Sequence, residues 1–306
     1  MNAPERITLH DVQSRPDSRN IRIDAVGVKG MRYPVTIQAG ERLVPTIATL
    51  AMTVGLAAIE KGTHMSRFVE LMEAQTEALN MLRFNGIVVD MLDRLEAPSG
   101  AIEMRFPYFV KKAAPISGAQ SQLDYEVCWQ GSVSDEGKYS FWMHVMVPAT
   151  SLCPCSKEIS EYGAHNQRSC ITIKAEVVDE MPIEELIGIA ERNASCEVYG
   201  LLKRPDEKYV TERAYDNPKF VEDLVRDVAL SLNQDPRVGR YAVEAENFES
   251  IHNHSAFARI MRPNSTDRPI ERKERPGQNL HLLAEQENPP TMNWRENRSD
   301  SRVGGA

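Results

Sequence analysis

Long strand-type segments occupy much of this sequence and constrain its fold more than any other feature. Five of them precede residue 153, and they span residues 20–38, 41–56, 101–112, 121–133 and 139–152. A sixth spans residues 168–178. Alternation of apolar and polar residues, β-branched side chains, and Gly or Pro between segments are typical of strands that bury one face. The sequence therefore predicts a strand-rich protein.

Helical segments interrupt these strands. In residues 66–82 the apolar side chains recur every three or four positions, which predicts one helix. The residues that carry this period are Phe68, Leu71, Met72, Leu79 and Leu82. Residues 181–195 and 217–232 are predicted to form two more helices, and residues 240–260 one long strand or a bent pair of strands.

A short motif occurs in both halves of the chain. SRFVELM at residues 66–72 and PKFVEDL at residues 218–224 share Phe, Val and Glu after a basic residue. Because both lie in strand-rich halves, we expect a duplicated unit, with repeats at residues 20–140 and 141–262. Residues 1–19 are polar and are predicted to form a flexible arm. Residues 263–306 are charged and rich in Pro, which predicts a disordered tail.

Charge and cysteine content limit the partners and the compartment. A net charge of −8 argues against non-specific binding to nucleic acid or anionic membrane, because both surfaces repel an anion. The uncharged run at residues 43–59 is shorter than the roughly 20 residues of a spanning helix and is predicted to be buried core. The odd number of cysteines, five, and the absence of a signal peptide predict a reduced, cytoplasmic protein.

The segment SLCPCSKEISEYGAHNQRS, residues 151–169, carries the first candidate site. Cys153 and Cys155 are too close for a zinc knuckle and have no second pair downstream, so a closed four-cysteine site is excluded. Both could be small buried residues at a strand end. However, Lys157, His165 and Arg168 lie in the same polar segment, and cations stabilise a thiolate. One cysteine with a histidine could bind a catalytic divalent metal while the other cysteine packs.

Carboxylates and histidines of the second half are the other candidates. Residues 204–223 are interpreted as a polar loop that contains Glu207 and ends with Glu222 in the first turn of a helix. Asp206, Asp216 and Asp223 are expected to be solvated or to favour a helix start. In ESIHNHSAF, if it is a strand, Glu249 faces one side while His252 and His254 face the other.

Several catalytic motifs are absent from the sequence. It has no phosphate-binding loop of the Walker type, no dinucleotide fingerprint and no Gly-x-Ser-x-Gly elbow. Metal-assisted hydrolysis and covalent chemistry at a thiol therefore remain.

Five motifs together resemble the type IB GTP cyclohydrolase I family of bacteria. They are TIATLAMTVGL, KGTHMSRFVELM, SLCPCSKEISEYGAHNQRS, DEKYVTERAYDNPKFVEDLVRDVA and ESIHNHSAFA, and the likeness spans about residues 20–262. The resemblance implies the tunnelling fold, an α+β fold of two repeats, each an antiparallel four-stranded sheet with a helix pair. It also implies that subunits associate into barrels and form a homotetramer, with active sites between subunits.

The resemblance also implies an activity and a set of site residues. The expected reaction converts GTP and water to 7,8-dihydroneopterin triphosphate and formate, the first step of pterin and folate synthesis. Zn²⁺, Mn²⁺ or Fe²⁺ is the expected cofactor, and no nucleic acid or membrane partner is expected. The implied metal residues are Cys153, His165, Glu207 and His252. The implied catalytic residues are Cys153, His165 and Glu249. Glu222 is expected to bind guanine, and the candidate triphosphate ligands are Lys157, Arg168, Lys61 and Arg67.

Two alternatives remain beside this hypothesis. In a tunnelling-fold nitrile reductase of queuosine synthesis, Cys153 would be the nucleophile and NADPH the hydride donor. A non-catalytic metal-binding oligomer would keep the fold without turnover.

Overall fold

Nine strands pair into one antiparallel sheet in the described part of this computed structural model, which comprises Gln13 and residues 15–262. The strands are β1 (Ile23–Ala39), β2 (Arg42–Leu56), β3 (Gly100–Ala113), β4 (Gln120–Val133), β5 (Tyr139–Leu152), β6 (Asn166–Val177), β7 (Cys196–Glu197), β8 (Val238–Phe248) and β9 (Ala256–Arg262). The helices are α1 (Met65–Glu73), α2 (Met81–Leu95), α3 (Pro154–Ile159), α4 (Ile183–Asn193), α5 (Arg204–Asp216) and α6 (Val221–Gln234). The spatial order is β1-β2-β3-β4-β5-β6-β8-β9, with β7 paired to β5.

The same structural unit occurs twice along the chain. Two antiparallel strands, an inserted set of helices and two more strands form β1-β2-α1-α2-β3-β4, and the pattern repeats with β5, β6, α4 to α6, β8 and β9. Pairing of β4 with β5 joins the halves. This is the α+β arrangement predicted for the tunnelling fold, which is therefore confirmed. The second unit differs by the short α3 and by α5.

Four of the helices pack on one face of the sheet, and the alternation of buried and exposed side chains along the strands follows from this. In β3, Ile102, Met104 and Phe106 are buried in the core, and in β6 Ile171 and Ile173 occupy the same layer. The apolar faces of α1, α2, α4 and α6 complete that layer. The alternation of apolar and polar residues therefore indicates a sheet with one helix-covered face.

The helix predicted over residues 66–82 is wrong in one respect. α1 ends at Glu73, and α2 begins at Met81 after Asn80, whose side chain accepts a hydrogen bond from the Arg83 N–H. Leu79 is buried outside both helices, where its N–H donates to the Thr36 carbonyl at 2.8 Å. Leu82 is 76% exposed. The three-and-four spacing arose from burial against β1 as well as from helix periodicity, and it could not separate the two.

The two copies of the motif from which the duplication was predicted do not occupy equivalent positions in the two units. Phe68 lies inside α1, the first helix of its unit, and is fully buried. Phe220 is the N-cap of α6, the last helix of its unit, and is 42% exposed. The two Phe-Val-Glu segments are therefore not structural equivalents, although the duplicated topology is present.

The predicted arm and tail fall largely outside the described residues. Residues 1–12, 14 and 263–306 are not described. The end of the arm contacts the β2–α1 loop, because Pro16 forms a bridge with Glu60 and the Asp17 N–H donates to the Ile59 carbonyl at 2.8 Å. The uncharged run at residues 43–59 lies mostly in β2. None of the described helices has the length and apolar character needed to cross a membrane.

Truncation of Phe84 is expected to destabilise the first unit. This α2 residue is 1% exposed and meets Trp129 and Phe141 edge-on, with ring centroids 5.7 and 5.8 Å away. We expect Phe84→Ala to lower the unfolding free energy by about 3–5 kcal/mol, because the cavity cannot collapse fully. Leu82→Ala on the same helix is the control and should change it by less than about 0.5 kcal/mol. Denaturant titrations at one protein concentration measure both, and similar losses would contradict the packing described.

Candidate active site

Cys153 and His165 lie opposite each other at the end of the β5–β6 hairpin. The last strand pair is Leu152 with Asn166, and beyond it the Cys153 N–H donates to the His165 carbonyl at 3.4 Å. Residues 154–164, which include α3, connect the two. The expected proximity of His165 to Cys153 is thus a direct consequence of strand pairing.

The two cysteines of the Cys-Pro-Cys segment have different environments. Cys153 is the N-cap of α3 and is half-buried, while Pro154 occupies the first helical turn, where its missing N–H is not needed. Cys155 is exposed, and no residue of α3 is buried. The expectation that one of the cysteines packs is therefore wrong for Cys155. All five cysteines lie within the described residues, and none of them forms a disulfide.

Pairing of β6 with β8 brings Glu249 to the same end of the sheet. The Gln167 Nε2 donates to Glu249 Oε1 at 2.9 Å, and the His165 Nδ1 lies 3.0 Å from the Ser250 Oγ. Gln167 is 7% exposed, whereas Glu249 is half-buried. Cys153, His165 and Glu249, which are far apart in sequence, therefore end three neighbouring strands.

His252 and His254 lie in the loop between β8 and β9, so the interpretation of this segment as a continuous strand is wrong. The other alternative, a bent pair of strands, is what the structure has, as β8 and β9. Both imidazoles are exposed and stacked, with centroids 5.1 Å apart and ring planes 15° from parallel. The loop begins beside His165, because Ser250 contacts that ring.

Glu207 lies on a helix and not in the loop predicted for residues 204–223. The far end of α5 contacts α3, because the Lys157 Nζ lies 4.2 Å from the centroid of the Tyr215 ring and donates to the Tyr215 carbonyl. Glu207 precedes Tyr215 by eight residues, or about 12 Å of helix rise. Within one chain, the exposed Glu207 carboxylate is therefore not brought to Cys153.

Asp206 holds the start of α5 in place; its position in the first turn of a helix agrees with the expectation, whereas its burial does not. It is completely buried. Its Oδ1 accepts hydrogen bonds from the Ile116 and Ser117 N–H groups, each at 2.8 Å, and its Oδ2 accepts from Ser117 Oγ at 2.6 Å and Lys203 N–H at 2.8 Å. Burial acts to raise the pKa of Asp206, but the hydrogen bonds from Ser117 and the backbone outweigh it, and the pKa lies well below the usual range. Pro205 followed by an acidic residue is a helix-start signal that could have indicated this.

The helix that carries Glu222 begins next to the candidate site. The Lys219 N–H donates to the Leu152 carbonyl at 3.1 Å, so the residues before α6 touch the end of β5. Glu222 follows in the first turn of α6, as predicted, and is exposed.

The four candidate phosphate ligands are not gathered in one place. Lys157 lies on α3 beside the site, and Arg168 lies on β6 with an exposed side chain. Arg67 belongs to the first unit, where its guanidinium donates to the Arg94 carbonyl at 2.7 Å near the end of α2. Lys61 is exposed in the β2–α1 loop.

The donor set suits a divalent metal but is incomplete in one described chain. Cys153 and His165 offer a thiolate and an imidazole, the donors that Zn²⁺ and related ions prefer. Within residues 15–262 no group of three or more His, Cys, Asp or Glu side chains is arranged to hold a metal ion. Cys153 and His165 are therefore suitable as two ligands of a metal site, and the described residues of one chain do not complete such a site.

The fold and site together define a class of protein: a duplicated antiparallel-sheet protein with a cysteine, a histidine and a glutamate at the end of its second unit. A family model described as type I GTP cyclohydrolase folE2 matches residues 9–258. The chain belongs to this family. The match agrees with the resemblance to GTP cyclohydrolases, while its description does not include the subtype IB.

Curated relatives match over nearly their whole length. The GTP cyclohydrolase FolE2 of Janthinobacterium sp. (strain Marseille) is 58% identical over 257 residues, which are 84% of this chain and 96% of the relative. That of Cupriavidus necator is 57% identical over 259 residues, which are 85% and 97% of the two chains.

Among solved structures, the uricase from Arthrobacter globiformis is similar to this chain. The identity is 8% and the TM-score 0.45, and the similarity covers 81% of this chain and 96% of the uricase. A score of this size adds nothing to the fold assignment, which stands on the strand order and the repeated unit.

Proposed function

We propose that this protein is a GTP cyclohydrolase I, a hydrolase that opens the guanine imidazole ring of GTP. The products are 7,8-dihydroneopterin triphosphate and formate, the first step of pterin and folate synthesis. The observation that carries the proposal is the family match over residues 9–258, within which Cys153 and His165 meet at a strand end. Subtype IB and a cytoplasmic location are finer parts of the same proposal, and they rest on the sequence motifs and on the lack of disulfides among the described cysteines.

The proposed metal residues are Cys153, His165, Glu207 and His252. Because the Nδ1 of His165 is engaged with Ser250, its Nε2 is the nitrogen that would bind the ion. A bound Zn²⁺, Mn²⁺ or Fe²⁺ would supply hydroxide near neutral pH by lowering the pKa of water. We propose that Glu207 comes from a partner subunit of a homotetramer. In the described residues β1 and β9 each pair with one strand only, which leaves two sheet edges for association.

The residues of the chain have separate tasks in the proposed reaction. Water adds at C8 of the purine, and the Glu249 Oε2, which does not take the Gln167 hydrogen bond, accepts a proton from it. The later proton transfers at N7 and in the ribose rearrangement are proposed for a histidine that is not fully committed to the metal. Lys157 and Arg168 are the nearer of the four proposed triphosphate ligands, while Lys61 and Arg67 would have to act from a partner subunit.

Glu222 is proposed to accept the N1–H and the exocyclic amino group of guanine with its two carboxylate oxygens. We expect Glu222→Gln to raise the KM for GTP by about 10–100-fold, because one of the two charged hydrogen bonds is lost. The matched control is Asp223→Asn, since Asp223 is next to Glu222 and contacts Arg226 at 3.2 Å on the helix surface. Steady-state kinetics measure both, and an unchanged KM in Glu222→Gln would remove Glu222 from the guanine site.

One assay separates this function from its alternatives. Protein reconstituted with Zn²⁺, Mn²⁺ or Fe²⁺ is incubated with GTP, and pterin fluorescence is read after oxidation. The proposal predicts pterin with at least one metal. NADPH consumption with a nitrile substrate would instead support a nitrile reductase, and bound metal without either turnover would support the non-catalytic alternative.

A further inference from the structure

The helix-covered face of the sheet changes from apolar to polar just before the candidate active site. Val147 and Ala149 on β5, Ile171 on β6 and Ala245 on β8 are completely buried. The next positions toward the site are polar yet remain buried, and their exposed fractions are 1% for Ser151, 7% for Gln167, 2% for Ser169 and 3% for Asn247. Buried polar side chains are costly unless they are hydrogen-bonded, so this change needs an explanation.

The polar residues form two rows with different hydrogen bonding. In the deeper row, Ser169 Oγ donates to Asn247 Oδ1 at 2.7 Å. In the row next to the site, Ser151 pairs with Gln167 across β5 and β6, and the Gln167 Nε2 donates to Glu249 Oε1. Within the described residues, the Ser151 Oγ and the Gln167 Oε1 are buried without a partner. The only incompletely bonded row is therefore the one that touches Glu249.

We propose that Gln167 is a positioning residue that orients the Glu249 carboxylate, and that one buried water between Ser151 and Gln167 fixes the Gln167 amide. The role rests on the proposed function, in which Glu249 accepts a proton. The amide must present its nitrogen to Glu249, because the reversed amide would place its oxygen against a carboxylate oxygen. Ser151 and Gln167 are cross-strand neighbours, so a water between them would have the Ser151 Oγ and the Gln167 Oε1 as polar partners. Such a water donates a hydrogen bond to the Gln167 Oε1 and takes none from the amide N–H groups. This hydrogen bond holds the amide in the required orientation.

The physical consequence is a fixed second oxygen on Glu249. With Oε1 held by Gln167, the carboxylate cannot rotate freely, and Oε2 keeps one direction relative to Cys153 and His165. Without the donor the carboxylate turns among several orientations, of which few suit proton transfer. Misplacement of a reacting group by about 1 Å is enough to cost roughly 100-fold in rate.

The test compares Gln167→Met with Ser169→Ala in the full-length, metal-loaded protein. Methionine keeps the length of the side chain but has no donor, whereas Ser169→Ala removes the buried hydrogen bond that does not touch Glu249. We expect Gln167→Met to lower kcat by about 10–100-fold with an unchanged KM for GTP. Ser169→Ala should keep kcat within about 3-fold of wild type at a comparable melting temperature. Metal affinity, measured by titration of the metal-free proteins, should be the same in all three.

Two further variants exclude a general loss of folding. Ser151→Ala removes only a hydroxyl and should lower kcat about 3–10-fold through loss of the buried water. In a Glu249→Gln background the Gln167→Met change should lose most of its effect, because the two residues act as a unit. If Gln167→Met does not fold at the assay temperature, Ser151→Ala decides.

The outcomes separate this inference from the proposed function. An inactive wild-type protein overturns both. An active wild type with equal kcat in Gln167→Met and Ser169→Ala overturns the positioning role alone, as does a tenfold weaker metal affinity in Gln167→Met, since Gln167 would then act through the metal ligands. An unchanged kcat in Ser151→Ala overturns the buried water and, where Gln167→Met does not fold, the positioning role as well.

Discussion

Replacement of Cys153 by alanine is expected to abolish GTP turnover, whereas replacement of Cys155 leaves most of it. Cys153 is half-buried at the strand end beside His165, while Cys155 is exposed on α3. Loss of the proposed metal thiolate removes several kcal/mol of transition-state stabilisation, which corresponds to a rate loss of about 10³-fold or more. Steady-state rates and metal content per subunit, measured on both variants, test the difference.

The Cys155→Ala variant is the matched control, because it removes the same atoms two residues away. Equal loss in the two variants would mean that the thiols act as a pair or that Cys155 is the functional one. A Cys153→Ala protein that keeps its full metal content and affinity but has no activity would indicate a nucleophilic cysteine instead of a ligand.

Replacement of Asp206 by asparagine is expected to cause a large loss of stability. Both carboxylate oxygens accept hydrogen bonds. Three of the four donors belong to Ile116 and Ser117 in the β3–β4 turn, and the fourth is the Lys203 N–H at the start of α5. An amide turns one acceptor into a donor that faces N–H or O–H groups in a buried site. We expect the melting temperature to fall on the order of 5–10 °C. Asp216→Asn, at the exposed end of the same helix, should change it little.

The contribution of Asp206 to stability should decrease as the pH is lowered. The pKa of this carboxyl is lowered in the folded protein, so ionised Asp206 stabilises the fold fully above its unfolded pKa of about 3.9. That contribution falls as the pH decreases from about 4 toward the lower folded pKa. The melting-temperature difference between wild type and Asp206→Asn should be the same at pH 7 and at pH 5 and should shrink below about pH 4. A difference that stays constant down to acid unfolding would contradict this account.

The sequence predicted most of the sheet because its strands bury one face only. The segment at residues 139–152 coincides with β5, and the start and end of most other strands were predicted within a few residues. Helices were predicted less well. α5 buries only Asp206 and Ala214, so it has no apolar stripe for periodicity to detect, and its start is visible only through the Pro205 and Asp206 signals.

Contacts in the site between residues close in sequence could be predicted, whereas contacts between distant segments could not. The closeness of Cys153 and His165 needs only one hairpin, which sequence proximity suggests. The Gln167–Glu249 contact needs β6 to pair with β8 across three intervening helices, and no local pattern encodes that register. The position of Glu207 depends on where α5 packs, and it was therefore assigned to the metal site on resemblance alone.

The most direct test of the central claim is the fate of the guanine C8 carbon. Metal-loaded protein is incubated with GTP labelled with ¹³C at C8, and formate is followed by NMR together with pterin fluorescence after oxidation. We predict labelled formate and one dihydroneopterin triphosphate for each GTP consumed, with neither product from Cys153→Ala. Unlabelled or absent formate with Zn²⁺, Mn²⁺ and Fe²⁺, in a folded protein that binds the metal, would contradict the assignment.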